Sequence, residues 1–305
     1  MTKKPLKNIA ASVQARLLAL SRERGEDFQL LLTRYALERL LYRLAESPHS
    51  GGFVLKGAML FALWTGQPHR ATRDLDLLGF GDVTIPSLET LFRELCALKV
   101  ADDGLVFDAA RVQGSLIRED QDYGGVCIEM EARLGVARVS LQVDVGIGDA
   151  VKPVVVTYPT LLDFPAPKLW AYPRETVVAE KLQAMVTLGI ANSRMKDFYD
   201  LWMLARTFEF DGERLAKAID ATFKRRKTEL TGQPPLALTP TFATDPSKMT
   251  QWQAFLRRTR LGEDAGDLAE VVAEVRVFLL PVLEALGAGI QFASKWKPRG
   301  PWTAT

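Results

Sequence analysis

The sequence predicts an α+β protein in which a sheet flanked by helices precedes a mainly helical lobe. Three observations carry this. Short runs such as Phe53-Val54-Leu55 and alternating segments such as Arg138 to Val145 read as strands, and they fall in the first half. From Pro173 onward, apolar residues recur at the three- and four-residue spacing of a helix face. Between the two textures lies Phe164-Pro165-Ala166-Pro167, which sets the expected lobe boundary. The expected organisation is a core with N-terminal helices over residues 1–165, a helical lobe over 166–290 and a basic, aromatic, flexible tail over 291–305.

Taken in order, Ser12 to Leu20 is a first amphipathic helix with Ser12 as its cap. Asp27 to Glu46 is a second, with Leu30, Leu31, Tyr35, Leu37, Leu40, Leu41 and Leu44 as its apolar stripe and Arg39 and Arg43 off it. Ser47 to Gly52 ends that helix. Phe53 to Leu55 is a strand, Lys56-Gly57 a tight turn, Ala58 to Trp64 a short helix, and Gly66, Pro68 and His69 belong to a loop. Thr72 to Leu78 then alternates acid with aliphatic as a strand does. Pro86 to Ala97 is helical, with proline in the first turn.

Leu105 to Arg111, Gly114 to Arg118, Gly125 to Leu134 and Ala137 to Val145 are strands, the last two forming a hairpin about Gly135. Pro153 to Leu162 is extended. Helices follow from Pro173 to Leu188, Lys196 to Thr207, Asp211 to Lys227, Lys248 to Arg258 and Asp264 to Leu286, with a turn-rich connection from Thr231 to Pro246.

Composition narrows the class. The chain has 305 residues, 48% hydrophobic and 25% charged, which is ordinary for a globular protein. A formal net charge of +2 means that any nucleic-acid surface is a local patch. Cys96 and Cys127 lack metal-ligand spacing, so no disulfide is expected and a reducing cytoplasm fits. The basic N-terminus lacks a signal-peptide core, and Val271 to Leu286 is interrupted by Glu274, Arg276, Pro281 and Glu284, so no membrane span is expected. His49 and His69 are too isolated for a zinc site.

The chemistry concentrates in residues 53–82. On a strand Asp74 and Asp76 share one face, about 7 Å apart, and repel unless a cation intervenes. The natural cation for oxygen ligands that also meet phosphates is Mg²⁺. The Gly57 turn before a helix offers backbone N–H groups to a triphosphate. On the later strand, Ser140, Gln142 and Asp144 share the face opposite Val139, Leu141, Val143 and Val145, so Asp144, before Gly146-Ile147-Gly148-Asp149, is positioned to meet the acidic pair. Lys181 lies among Val177, Val178, Ala184 and Met185 and either snorkels to water or meets an anion. Asp197 opens a helix, where a capping role competes with a functional one, and Asp200 is expected to pair with Arg194, Lys196 or a neighbour. Lys224 to Lys227, the group Arg257, Arg258 and Arg260, and the tail with Trp296 and Trp302 are either solvated charge or an RNA-binding surface with stacking indoles.

The blocks LKGAMLF, ATRDLDLLG, VSLQVDVGIGD, VVAEKLQAMV and SRMKDFYDLWML, from about Ser12 to Arg206, resemble the AbiEii toxin family, to which the MenT toxins are related. The resemblance implies a polymerase-β-like minimal nucleotidyltransferase core, a mixed sheet flanked by helices, with a helical lobe completing the active-site cleft. It implies Lys56 and Gly57 near the nucleotide phosphates, Asp74 and Asp76 as metal-binding acids, Lys181 as a phosphate-contacting lysine and Asp197 as the acid of the last motif. Asp144 as third metal acid is an analogy with polymerase β. Thr72 stands where relatives carry a hydroxyl that an antitoxin kinase phosphorylates. The implied cofactor is Mg²⁺ or Mn²⁺, with an NTP as substrate. The implied partners are tRNA and a cognate antitoxin, either a winged-helix regulator or a kinase acting on Thr72. One departure stands out: the family's Gly-Gly followed by Ser or Thr is here Gly57-Ala58-Met59, which removes a phosphate-facing hydroxyl. The alternatives to transfer onto the tRNA 3′ end are nucleotidylation of a protein and a catalytically silent binder of tRNA or antitoxin.

Overall fold

A computed structural model describes residues 8–66, 72–117, 124–259, 261 and 266–304. The first seven residues and Pro68, His69, Arg118, Arg260 and Asp264 lie outside the described residues. The chain divides into two compact units, one formed by Met1–Asp149 with Pro153–Tyr172 and the other by Ala150–Lys152 with Pro173–Thr305.

In the first unit, α1 spans Ile9–Arg24. Its cap is Asn8, whose side chain accepts the Ala11 N–H at 2.9 Å, so the helix starts three residues before the expected Ser12. Helix α2, Phe28–Glu46, is capped by Asp27, which accepts the Leu30 N–H. Arg39 and Arg43, which lie off the apolar stripe, are nevertheless both buried. Arg39 Nε lies 3.0 Å from Asp103 Oδ2, Arg43 grips both Asp103 oxygens at 2.6 and 3.1 Å, and the Tyr35 hydroxyl donates to the Asp103 carbonyl. The helix is covered beyond its apolar stripe, and its charges are buried as a hydrogen-bonded cluster.

Strand β1 is Phe53–Lys56, α3 is Met59–Thr65, β2 is Asp74–Gly79 and α4 is Ile85–Ala97. Then come β3, Leu105–Ile117, β4, Gly125–Leu134, β5, Ala137–Gly146, β6, Val154–Thr157, and β7, Lys168–Ala171. Among the described residues these strands form one seven-stranded mixed sheet in the order β3-β4-β5-β2-β1-β7-β6. The two strands expected on either side of Val112 are one strand, β3, with a register irregularity between Asp108 and Gln113. The β4–β5 hairpin turns at Gly135, whose φ of 59° suits a residue without Cβ. Val139, Leu141, Val143 and Val145 are buried on one face of β5. The unit ends at Tyr172 rather than 165 because β7 pairs with β1, and those ladder bonds tie the segment after Pro167 to the sheet.

In the second unit, α5 is Arg174–Leu188, α6 Met195–Thr207, β8 Phe210–Asp211, α7 Gly212–Arg225, α8 Pro240–Ala243, α9 Pro246–Thr259 and α10 Leu268–Gly287. Asp267 and Glu270 form a capping box that starts α10. Strands β9, Ser294–Trp296, and β10, Trp302–Ala304, join β8 in a small antiparallel sheet. This corrects the expectation of a flexible tail. Trp296 is 2% exposed and donates its indole N–H to the Ala205 carbonyl at 2.7 Å. Trp302 stacks on Phe278 and donates to its carbonyl at 2.8 Å. Both indoles are committed to the unit's own packing, so base stacking by the tail loses its support. Among the described residues no helix is long and apolar enough to cross a membrane.

Candidate active site

The site is built on the pairing of β2 with β5. These strands run parallel, with Asp74 beside Gln142 and Asp76 beside Asp144. Because the side-chain period of a strand is two, Asp74, Asp76 and Asp144 share one sheet face. The opposite face carries Leu75, Leu77, Val143 and Val145, all buried, and that burial holds the register that aligns the acids. All three acids are partly exposed. The Gln142 amide donates to both Asp144 oxygens at 3.0 and 3.2 Å. From β4, Cys127 sits opposite Asp144. Burial first, then its hydrogen bond to Asp144 and that carboxylate's charge, push the Cys127 thiol up to about 12, so it stays protonated as a donor.

Among the described residues no group of three or more acid, histidine or cysteine side chains is placed to hold a metal ion by itself. The acids form a row on adjacent strands. Hard oxygens of like charge are the donors that a divalent cation takes when water and substrate phosphates complete its coordination. The register brings onto one face Asp74 and Asp76, the acids that the resemblance implied, and Asp144, which the analogy with polymerase β added.

Lys56 closes one side of the row. It is register-paired with Asp76 across the antiparallel β1–β2 ladder. Its ammonium reaches over Gly146, where a Cβ would stand 2.9 Å from Nζ, and donates to Asp149 Oδ2 at 3.1 Å. The Tyr172 hydroxyl donates to the same oxygen at 2.9 Å. Gly57 follows with φ of 75°, and a Cβ there would overlap the Asp76 carboxyl group, 2.5 Å from Cγ and 2.7 Å from Cβ. Glycine is required by backbone and neighbour alike. The turn is leaner than expected as an anion cradle. Helix α3 has only seven residues, and the N–H groups of Leu60 and Phe61 are taken by the Gly57 and Ala58 carbonyls. Thr72 precedes β2, with Oγ1 3.4 Å from the Asp74 carbonyl oxygen.

In the second unit, Lys181 on α5 meets two carboxylates of α6, Asp197 at 2.6 Å and Asp200 at 2.8 Å. Asp197 is fully buried, and Arg194 Nε lies 2.8 Å from its other oxygen. Burial pulls the Asp197 carboxyl up, but Lys181 and Arg194 outweigh it and hold it below the ordinary range. Lys181 thus has anionic partners instead of reaching for water, Asp197 is an ion-pair residue instead of a simple cap, and Asp200 pairs with Lys181 across helices. The basic run at the end of α7 is less available than its sequence suggests: Lys224 binds Asp220 at 2.7 Å, and Arg226 donates to Gln183 at 2.8 Å.

Asp149, Tyr172, Gln142 and Cys127 were not singled out as site residues from sequence. For Gln142 a signal existed, since it lies two residues before Asp144 on the same face. For Asp149 and Tyr172 there was none, because their meeting depends on β7 pairing with β1.

The family model described as nucleotidyl transferase AbiEii toxin, type IV TA system, matches residues 39–275. No curated protein matches the sequence. Among solved structures, a protein from H. pylori assigned as a nucleotidyltransferase is similar at 16% identity and a TM-score of 0.50, over 86% of this chain and 98% of that one. JHP933 from Helicobacter pylori is similar at 15% identity and a TM-score of 0.50, over 86% and 95%. MenT4, the nucleotidyltransferase toxin Rv2826c from Mycobacterium tuberculosis H37Rv, has 19% identity and a TM-score of 0.47, over 91% and 98%. At these identities the two Helicobacter structures show a shared fold.

Proposed function

Since the chain belongs to the AbiEii family of nucleotidyltransferase toxins of type IV toxin–antitoxin systems, we propose that it transfers a nucleotide from an NTP to the 3′ end of tRNA and thereby blocks translation. The observation that carries the reading is the register of β2 on β5, which aligns Asp76 with Asp144 and leaves Asp74 on the same face. A binder gains nothing from a row of adjacent anions.

Asp74, Asp76 and Asp144 would hold Mg²⁺ or Mn²⁺, which when bound neutralises phosphate charge and makes the acceptor hydroxyl easier to deprotonate. The acceptor oxygen forms a bond to the α-phosphorus. The bond from that phosphorus to the α–β bridging oxygen breaks, and pyrophosphate leaves with the electron pair. The hydroxyl proton passes to a carboxylate, for which Asp144 is the candidate. Lys56 neutralises charge gathering on the pyrophosphate. Gly57 lets the chain turn tightly against Asp76, and Thr72 leads into the acidic strand. In the second unit, Lys181 is the proposed phosphate-contacting lysine, with Asp197 and Asp200 orienting it. The family implies a cognate antitoxin; a winged-helix regulator or a kinase acting on Thr72 is the proposed form.

The test is incubation of the pure protein with α-labelled NTPs, Mg²⁺ and total tRNA, with a parallel arm of lysate protein. Label on tRNA that Asp74→Asn and Asp76→Asn each abolish supports the reading. Label on protein alone shifts the acceptor. A specific feature favours the silent-binder alternative: Met59, where the family motif implies a hydroxyl, is the buried, apolar first residue of α3. No transfer with any nucleotide, or equal transfer by Asp74→Asn, would sink the proposed reading, and a titration showing no Mg²⁺–nucleotide binding would favour the silent binder.

A further inference from the structure

Of the six tryptophans, Trp170 alone stands exposed. It is 40% exposed, whereas Trp202, Trp252 and Trp296 are each 5% exposed or less. Among the described residues its indole makes no ring contact and no hydrogen bond. An indole left in water forgoes the burial that the other tryptophans use, and such residues are enriched where a partner supplies the missing contact.

Burial along β7 alternates: Leu169 and Ala171 are buried, Lys168 and Trp170 are exposed. Register assigns the exposed pair to a face. Trp170 pairs with Val54 of β1, Lys56 lies two residues on, and Lys56 pairs with Asp76. With a side-chain period of two, Trp170 and Lys168 stand on the sheet face of Asp74, Asp76 and Asp144. Tyr172 is the next position on that face, and its hydroxyl donates to Asp149, which Lys56 also reaches. The segment therefore leads outward from Lys56 through Tyr172, Trp170 and Lys168 in steps of about 7 Å. On β6, the outermost strand, the register partner of Trp170 is Val155, 50% exposed, and the partner of Lys168 is Thr157, also exposed. An indole widened by a valine, followed by an ammonium and a hydroxyl, lies on the face that bears the acids. Neither β6 nor β7 carries a carboxylate to repel phosphate.

Aromatic faces that stack bases, beside cations that hold the backbone, are the means by which proteins bind single-stranded nucleic acid. The order along β7 decides between two sources of a base. An NTP ends at its base and has no phosphate to offer beyond the indole. An acceptor strand whose last residue lies at the acids continues outward and presents its next phosphate beyond the stacked base, where Lys168 stands.

We propose that Trp170, with Val155 and Lys168, forms a subsite for the single-stranded end of the acceptor RNA. The indole stacks a base upstream of the reacting 3′ end, and Lys168 neutralises the phosphate beyond it. The proposal rests on the nucleotidyltransferase reading for the RNA acceptor, but the subsite binds without metal or chemistry.

The experiment is fluorescence anisotropy of a 5′-fluorescein-labelled single-stranded RNA dodecamer with the full chain, in EDTA so that no transfer occurs. Trp170→Ala is expected to weaken binding roughly five- to a hundredfold, the scale of losing one base stack. Trp170→Phe keeps an aromatic face and should lose less. Lys168→Gln should weaken binding and reduce the slope of log K against log salt by about 0.7, one phosphate on a single strand. A blunt RNA duplex, whose bases are already stacked, should bind wild type and Trp170→Ala alike. If Trp170→Ala fails to fold, Trp170→Phe and Lys168→Gln decide. A wild type that binds no single strand, or equal binding by Trp170→Ala and Lys168→Gln, overturns the proposal. A loss confined to a non-hydrolysable NTP, measured with Mg²⁺, assigns the indole to the nucleotide and overturns it. Self-association of the wild type that Trp170→Ala abolishes, with RNA binding untouched, makes the patch a protein contact and also overturns it. The transfer assay separates this proposal from the reading beneath it. Trp170-dependent RNA binding without any transfer sinks the transferase reading and keeps the RNA subsite; transfer to tRNA with a KM that Trp170→Ala leaves unchanged sinks the subsite alone.

Discussion

Replacing Gly57 by alanine tests the most crowded contact in the site. The backbone there has φ of 75°, and a new Cβ would overlap the Asp76 carboxyl group. The left-handed conformation costs an L-residue about 1–2 kcal/mol. Overpacking against Asp76 adds about 1–3 kcal/mol as the side chain leaves its rotamer or the turn shifts. Together the substitution is expected to destabilise the first unit by about 2–5 kcal/mol. Hydrogen exchange read by mass spectrometry localises the loss, which should appear in β1 and β2 and leave α5 and α6 of the second unit unchanged. Mn²⁺ binding should weaken as well, because the displaced carboxylate is one of the row. Gly51 is the control: its φ is not positive and nothing lies within 4 Å of a Cβ built there, so Gly51→Ala should stay within about 0.5 kcal/mol of the wild type. If Gly57→Ala matches Gly51→Ala in both stability and Mn²⁺ binding, the close approach of the turn to Asp76 is wrong and the assignment of Gly57 to the site falls with it.

Two further outcomes follow from buried groups. Burial pushes the Glu38 carboxyl from 4.5 up to about 7, against the Leu161 N–H and Arg39, which favour the charged form. A raised carboxyl contributes stability that is complete below the unfolded value and is lost as pH rises through the folded one. The wild type should therefore lose on the order of 2–3 kcal/mol relative to Glu38→Gln between pH 4 and pH 8, measured by denaturant unfolding, and a pH-independent difference would refute the assignment. Trp296→Ala should cost the second unit about 3–5 kcal/mol, seen as faster hydrogen exchange in α6 and α10, while an unchanged exchange pattern would return the tail to a mobile segment.

Several features were legible along the chain because each depends on near neighbours. The alternation of Asp74-Leu75-Asp76-Leu77 and of Val139 to Val145 assigns faces by the two-residue period, and buried positions of the structure follow it. The apolar spacing of α5, α6 and α10 gave helices close to their expected bounds. Boundaries shifted where a cap or ladder competed: Asn8 outranked Ser12, and β7 moved the unit boundary from residue 165 to Tyr172. The burial of Arg39 and Arg43 was not legible, because a charged residue beside an apolar stripe has the same local appearance whether water or a distant Asp103 satisfies it. The tail was misread for the same reason, since short strands around Pro298 and Pro301 carry no periodic signal before β8 gives them a partner.

By itself, then, the sequence determined the α+β class, the acids that share a strand face and the Lys56-Gly57 turn ahead of them, because periodicity and turn chemistry are set within a few residues. Only the tertiary structure decided that Asp144 stands beside Asp76, that Lys181 meets Asp197 and Asp200, and that Asp149 and Tyr172 meet at Lys56. Those neighbours lie from 16 to 93 residues apart along the chain. Strand register and helix packing, driven by burial of the opposite faces, bring them together, and neither is written in any local stretch.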